Sequence, residues 1–508
     1  MAHVNKVVVI NDLDNPTAAQ DKIAKGANFL ADAVKQTLGP YGRNVLLEKG
    51  LKITNDGIGI AREIQLKDEI EDLGLRIARE ALIKTNDLVG DGTTTAATLF
   101  QAIFKESLRL LPGKNLKGKK SIAQIRKQIA DECAFAVGKL KEMAVPIKTK
   151  EELIEVTRVS VEDKDLAELI GTTQWELGQD GVLLVEESND IKDSVEKISG
   201  IRFDNGFGTS LVVNNQEKQR LEVENVPVIM TNYTFSTIGT IKRVLDELVR
   251  SGKQDIVIIA RAFTQEAIKE CMENHRSGIR LYPVNAPYVN QGGIMRDLRA
   301  VLGGKYYDQE ESSLEDMTLK DVGFARRVIC ERFSAVYTGV KNEQTETHIV
   351  HRIEELKKEQ AGSESPFEKR VLQTRISQLT NGFAIIKVGA LSDADRKYKY
   401  DKVEDAVHAV KAALQEGTVK GAGLALKEIS EQMSEDSILK RPLLAPYEQI
   451  MVNAGENFVI EDWVRNPVKV ERVALENACQ IAVALATAGG AIANERIKPK
   501  YVEINDNE

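Results

Sequence analysis

The succession of textures along this 508-residue chain constrains its fold more than any single motif. Residues 18–38 carry Ile23, Ala27, Leu30, Ala31 and Val34 at helical spacing. Leu38-Gly39-Pro40-Tyr41-Gly42 breaks that helix, and Val45-Leu46-Leu47-Glu48 and Leu51-Lys52-Ile53-Thr54 read as two short strands around Lys49-Gly50. A second helix is expected over 69–87, with Leu73, Ile77, Ala81, Thr85 and Leu88 on one stripe. A third points Leu99, Ile103 and Phe104 inward. From about 200 to 340, β-rich runs alternate with helices, at 226–230, 241–249, 255–260, 265–273 and 279–284, with 334–338 a further strand. Residues 343–377 read as charged helices interrupted at Gly362-Ser363-Glu364-Ser365-Pro366. After the strand-like Ala384-Ile385-Ile386-Lys387-Val388-Gly389 the chain turns helical again, from Asp405 to Gln415 and onward, and it ends in a strand-like Tyr501-Val502-Glu503-Ile504. Helical, mixed, α/β, mixed, helical is an order of nested domains: the outer segments fold together and the middle is inserted.

Composition removes several functions. A net charge of −8 and 5% aromatic residues argue against a nucleic-acid partner. Cys133, Cys271, Cys330 and Cys479 show neither metal-ligand spacing nor a disulfide framework, which fits a reducing cytoplasm. The run Val7-Val8-Val9-Ile10 is too short for a signal peptide, and no stretch approaches a membrane span. Lysines between Pro112 and Lys120 read as a solvated loop.

The chemistry concentrates in Gly90-Asp91-Gly92-Thr93-Thr94-Thr95, between two helix-like segments. Glycines let backbone N–H groups approach an anion, a helix start adds unpaired N–H donors, and hydroxyls and a carboxylate can serve phosphate and Mg²⁺. This outlines a nucleoside triphosphate site, yet no G-x-x-x-x-G-K-[ST] loop is present.

Five landmarks then stand in order: Thr37-Leu38-Gly39-Pro40-Tyr41-Gly42-Arg43-Asn44-Val45, Ile53-Thr54-Asn55-Asp56-Gly57, the Gly90 loop, Val403-Glu404-Asp405-Ala406-Val407-His408-Ala409, and Glu416-Gly417-Thr418-Val419-Lys420-Gly421-Ala422-Gly423. The series resembles the chaperonins, ring-forming ATP-dependent protein-folding machines, and is nearer the group I branch; no extra segment for a built-in lid stands near Tyr282 to Gly293. The resemblance covers almost the whole chain. It implies a multi-domain fold: a mainly α-helical equatorial ATP-binding domain (1–141 and 415–508), a small α/β intermediate hinge domain (142–199 and 384–414) and an inserted α/β apical domain (200–383). Hinges map to Gly200 and Gly382, and to Pro146 and Gly417.

Residue by residue, the resemblance implies that Thr37, Leu38, Gly39 and Pro40 touch phosphates and base edge, and that Asp91 holds Mg²⁺. Gly92, Thr93, Thr94 and Thr95 cradle phosphates, and Asp56 and Asp405 serve hydrolysis, with Asp405 at a helix start on a moving arm. Ser160, Gly421 and Gly423 match phosphate-edge and adenine- or ribose-side contacts. K⁺ is a further expected cation. An apical groove for non-native polypeptides would be lined by Phe207, Leu211, Ile241, Leu245, Ile268 and Met272, with Val212, Leu248 and Val249 beside them. A homo-oligomeric, seven-membered ring and a co-chaperonin are implied partners.

The chain also departs from the family pattern. The Asn-Ala-Ala turn of the nucleotide pocket's far wall is missing. Val459-Ile460-Glu461-Asp462-Trp463-Val464-Arg465 leads directly into Asn466-Pro467, and Asn466 stands where an aspartate is expected. Asn55 replaces a lysine, Lys242 and Glu273 replace apolar groove residues, and the glycine-methionine tail is absent. These changes keep a second reading open: a ring scaffold or holdase with a reduced folding cycle.

Overall fold

The computed structural model describes residues 6–10, 17–48, 52–111, 120–179, 181–188, 190–198, 200–216, 219–288, 291–340, 342–381, 383–455 and 458–494. The Lys49-Gly50 turn, most of the 112–120 lysine run, Gly382 and the strand expected at 501–504 lie outside them. Two compact units emerge: residues 1–172, 187–193 and 388–508 form one, and 173–186 with 194–387 form the other. The chain therefore leaves the first unit and returns to it.

The first unit is mainly helical. Ala18–Val34 buries Ile23, Ala27, Leu30, Ala31 and Val34, the stripe read from spacing. Glu69–Val89 starts at Asp68, whose carboxylate accepts from the N–H groups of Ile70 and Glu71, and acidic residues fill its first turn. Its buried stripe is Ile70, Leu75, Ala78, Ala81, Leu82, Thr85 and Val89, so Leu88, 60% exposed, does not belong to it. Thr93–Leu110 buries Leu99, Ile103 and Phe104 completely. Ile122–Glu142 begins in a reciprocal box between Ser121 and Gln124. Val468–Ala486 packs against the last three of these helices, so the two ends of the sequence share one core. Lys6–Ile10 pairs antiparallel with Gly490–Asn494 and ties the chain ends together. In the same unit, Lys150–Val161 packs against the 24-residue helix Asp393–Glu416.

The second unit is α/β. Its main sheet runs Arg280–Asn285, Asp255–Ala260, Leu221–Thr231, Gly323–Cys330, Ser334–Gly339, Gly200–Asp204, with Tyr306–Tyr307 also on Leu221–Thr231. Pairing is parallel among the first three strands and antiparallel among the next. The period of two along Asp255–Ala260 sends Val257 and Ile259 into one core and Ile256, Ile258 and Ala260 into another. Lys242–Arg250 and Gln265–Arg276 cover the latter core, while Gln291–Leu302, Glu343–Gly362 and Pro366–Asn381 cover the former. A three-stranded sheet, Val182–Glu187, Phe383–Val388, Ser194–Ile198, completes it.

Candidate functional site

The phosphate loop is a bend that only glycine makes cheaply. Gly90 ends the Glu69–Val89 helix at φ +68°, and Gly92 precedes Thr93–Leu110 at φ +79°. A Cβ on Gly90 would lie 2.3 Å from the His408 ring, and one on Gly92 would lie 2.6 Å from Val470 Cγ1. The first turn of Thr93–Leu110 therefore offers unpaired N–H donors where the backbone is closely walled. Beside it, the Thr37 to Pro40 loop turns through Gly39 at φ +83°. Asn453, which the sequence reading did not single out, clamps that loop: its Nδ2 donates to the carbonyls of Lys35, at 3.1 Å, and Leu38, at 2.9 Å. Thr37 and Thr94 hydroxyls stand 3.5 Å apart.

Three carboxylates from three elements line the same cavity. Asp56 caps the Gly57–Glu63 helix, accepting from Ile58 N at 3.1 Å and Gly59 N at 2.8 Å. Asp91 accepts from Gly92 N at 2.5 Å. Desolvation, with Asp56 adding repulsion, raises the pKa of Asp91 to about 6 against the pull of Gly92 N–H and Lys402. Asp405 is pushed well above the usual carboxylate range by burial first, then by Asp91, Asp56, Asp401 and Glu404. One expectation is corrected: Asp405 stands inside the long helix rather than at its start, because Ser392 caps Asp393–Glu416 twelve residues' worth of chain earlier than the sequence pattern indicated, roughly three turns. Lys402, on the same helix and lining the same cavity, is held by Glu162 at 2.9 Å. No group of three or more His, Cys, Asp or Glu among the described residues is arranged to hold a metal ion. A divalent cation taken up here would draw most of its oxygens from phosphates and water, which is how Mg²⁺ binds.

The cavity encloses about 430 Å³. Thr37, Leu38, Gly39, Pro40, Asp56, Asp91, Gly92, Thr93, Thr94, Thr95, Ser160, Asp405, Gly423 and Asn466 all line it. Gly421 stands behind the wall, its N–H donating to Val464 O at 2.8 Å, and a Cβ there would lie 2.7 Å from Asn466 Oδ1. The far wall expected at residues 459–467 also lines the cavity. Asn466 Nδ2 donates to Glu471 Oε1 at 2.6 Å. Glu471 is 3% exposed, its other oxygen has no hydrogen-bond partner, and burial raises its pKa. Phe458, Trp463 and Arg158 line the same space, with the guanidinium 4.6 Å from the Trp463 ring centre.

The groove residues of the α/β unit separate. Ile241 and Leu245 are 1% and 8% exposed in the core under Lys242–Arg250, and Val212 and Leu248 are buried as well, so an open groove lined by Ile241 and Leu245 is corrected. An amphipathic period cannot tell a core face from a docking face. Leu211 is 69% exposed, while Phe207, Val249, Ile268 and Met272 are half-buried.

Solved structures similar to this chain include the chaperonin gp146 from the bacteriophage EL 2 (Pseudomonas aeruginosa), in presence of ATP-BeFx, in two crystal forms. At 20% identity, form II matches over 96% of this chain and 100% of the other with a TM-score of 0.65, and form I over 96% and 99% with 0.57. That likeness establishes the fold. The model of the TCP-1/cpn60 chaperonin family matches residues 30–440, well over half of the sequence, including the Gly39, Asp56, Gly90 to Thr95 and Asp405 landmarks. The chain belongs to the TCP-1/cpn60 chaperonin family.

Proposed function

We propose that this chaperonin binds and hydrolyses ATP in the cavity of its helical unit and uses the cycle to capture and release non-native polypeptides. The observation that carries the reading is the convergence of Asp56, Asp91 and Asp405, each from a different element, on one cavity beside the N-terminus of Thr93–Leu110. The helix N–H groups, the hydroxyls of Thr93, Thr94 and Thr95, and the Gly39 turn bind the triphosphate. Asp91 holds Mg²⁺, which when bound neutralises charge on the phosphates. Asp56 and Asp405 orient the attacking water and accept its proton. The 20%-identical phage chaperonin was crystallised in presence of ATP-BeFx, which is in keeping with nucleotide binding by this chain.

In this reading the chain has three domains, 1–141 with 415–508, 142–199 with 384–414, and 200–383. Asp405 rides on the intermediate one, so hydrolysis is coupled to its movement. A lower hinge at Pro146 and Gly417 is supported by local geometry. Val145 and Thr418 exchange two backbone hydrogen bonds of 2.8 Å, and Gly417, at φ +77°, turns the chain where a Cβ would meet Val145 O at 2.6 Å. A seven-membered homo-oligomeric ring, a co-chaperonin, K⁺ as a further cation and a cytoplasmic location belong to the same proposal. Leu211, Phe207, Ile268 and Met272 are its client-contacting residues. The scaffold alternative is disfavoured, because a passive ring has no use for three carboxylates crowded at a phosphate site.

The test is Mg²⁺-dependent ATP hydrolysis by the purified protein, with refolding of a denatured client and electron micrographs taken with and without ATP. Rings that turn over ATP and raise the refolding yield are expected. Rings without hydrolysis would favour the scaffold.

A further inference from the structure

The wall at residues 458–467 lies beyond the span matched by the family model, and it is where the Asn-Ala-Ala turn is missing. We propose that Trp463 is the platform on which the nucleotide base stacks, an inference that rests on the ATP reading above. Trp463 is held on a rigid support. Arg465–Pro467 pairs antiparallel with Thr418–Lys420, and Val464 O accepts from Gly421 N, so the indole is anchored beside the Gly421 to Gly423 turn and Asn466. Its orientation is fixed as well: the indole N–H donates to Glu461.

The ring belongs to the same cavity as Asp91 and Thr93 to Thr95, which assigns the phosphate end. Arg158, from Lys150–Val161 and also lining the cavity, lays its guanidinium 4.6 Å from the indole centre. The guanidinium lies over the ring, and the base would displace this exposed side chain to reach that face. A base presents a flat face of similar size, and stacking reads no donor–acceptor pattern. Recognition by Trp463 would therefore replace the lost turn with contact area, at the cost of discrimination between bases.

The chain has two tryptophans, and Trp175 belongs to the α/β unit, so W175F leaves Trp463 as the sole indole reporter. In that background, Mg-ATP is expected to change the fluorescence, whereas Mg-tripolyphosphate, which has phosphates and no base, leaves it unchanged. W463A is expected to raise the KM for ATP about tenfold and to keep wild-type affinity for tripolyphosphate, which also shows that the cavity still folds. W463F is expected to restore most of the loss. GTP should be accepted with a KM within about tenfold of that for ATP, because a site without hydrogen-bond readout discriminates weakly. ATP turnover by W463A at the wild-type KM, or ATP binding to W175F with no fluorescence response, overturns the platform and leaves the ATPase reading standing. Failure of the wild-type protein to bind or hydrolyse Mg-ATP overturns both.

Discussion

Asp297 in the α/β unit and Asp405 in the helical unit are both acids inside protein, but in opposite company. Asp297 is 1% exposed and meets two guanidiniums, Arg352 Nε at 2.7 Å and Arg375 Nε at 2.6 Å, which join three helices around one carboxylate. Asp255 and Glu196 likewise each have an arginine partner. Asp405, by contrast, has Asp91 and Asp56 as its main electrostatic neighbours, and all three face a cavity. Around Asp297 negative charge is neutralised from within and serves to position helices. Around Asp405 it is left crowded, and a cation with bound phosphates would complete it. Local instability of this kind is characteristic of a working site.

The largest stability effect should come from breaking the satisfied side of the contrast. Asp297→Ala leaves two buried guanidiniums without their shared acceptor and should destabilise the α/β unit by about 3–5 kcal/mol, seen as an early transition in urea. On the crowded side, Asp91→Asn should weaken Mg²⁺-dependent ATP binding by about tenfold or more, with little change in binding measured in EDTA. Gly92→Ala places a Cβ against Val470 at positive φ and should cost about 1–3 kcal/mol, lowering the melting temperature together with ATP affinity.

The smallest effect is one of pH. Glu196 is pushed down from an ordinary 4.5 to about 2, chiefly by its hydrogen bond with Arg326 and then by Lys387. A depressed carboxylate contributes stability above its unfolded pKa and loses that contribution as pH falls toward the folded value. The contribution should therefore be full at pH 6 and fade between about 4.5 and 2. Glu196→Gln should flatten this acid limb by less than about 1 kcal/mol, since the pair is partly solvated. An unchanged limb would show that the pair contributes nothing measurable.

Helix positions were legible because periodicity is local: the Ala18–Val34 stripe and the Glu343–Gly362 and Pro366–Asn381 pair appear where spacing and Pro366 put them. The phosphate loop was legible because Gly90 and Gly92 are required by backbone shape. Contacts between distant segments were not. Nothing local to Lys6–Ile10 announces Gly490–Asn494 as its partner, and nothing near Leu38 announces Asn453 as the donor to its carbonyl. Burial of Ile241 and Leu245 depended on what the α/β core places beneath them. Asp405 looked like a helix start because Lys397, Lys399, Tyr400 and Asp401 hide the period that Ser392 in fact initiates.

The contrast between neutralised and crowded carboxylates is tested most directly by Asp405→Asn, with ATP affinity, turnover and nucleotide-free melting temperature measured on the same preparation. Because Asp405 is held above its ordinary range, its ionised form opposes folding at neutral pH, and an uncharged isostere removes that opposition. The account predicts ATP binding close to wild type, turnover reduced by about 10²-fold or more, and a melting temperature raised by about 1–2 degrees, on the order of 1 kcal/mol. Turnover within twofold of wild type, or a lower melting temperature, would contradict it.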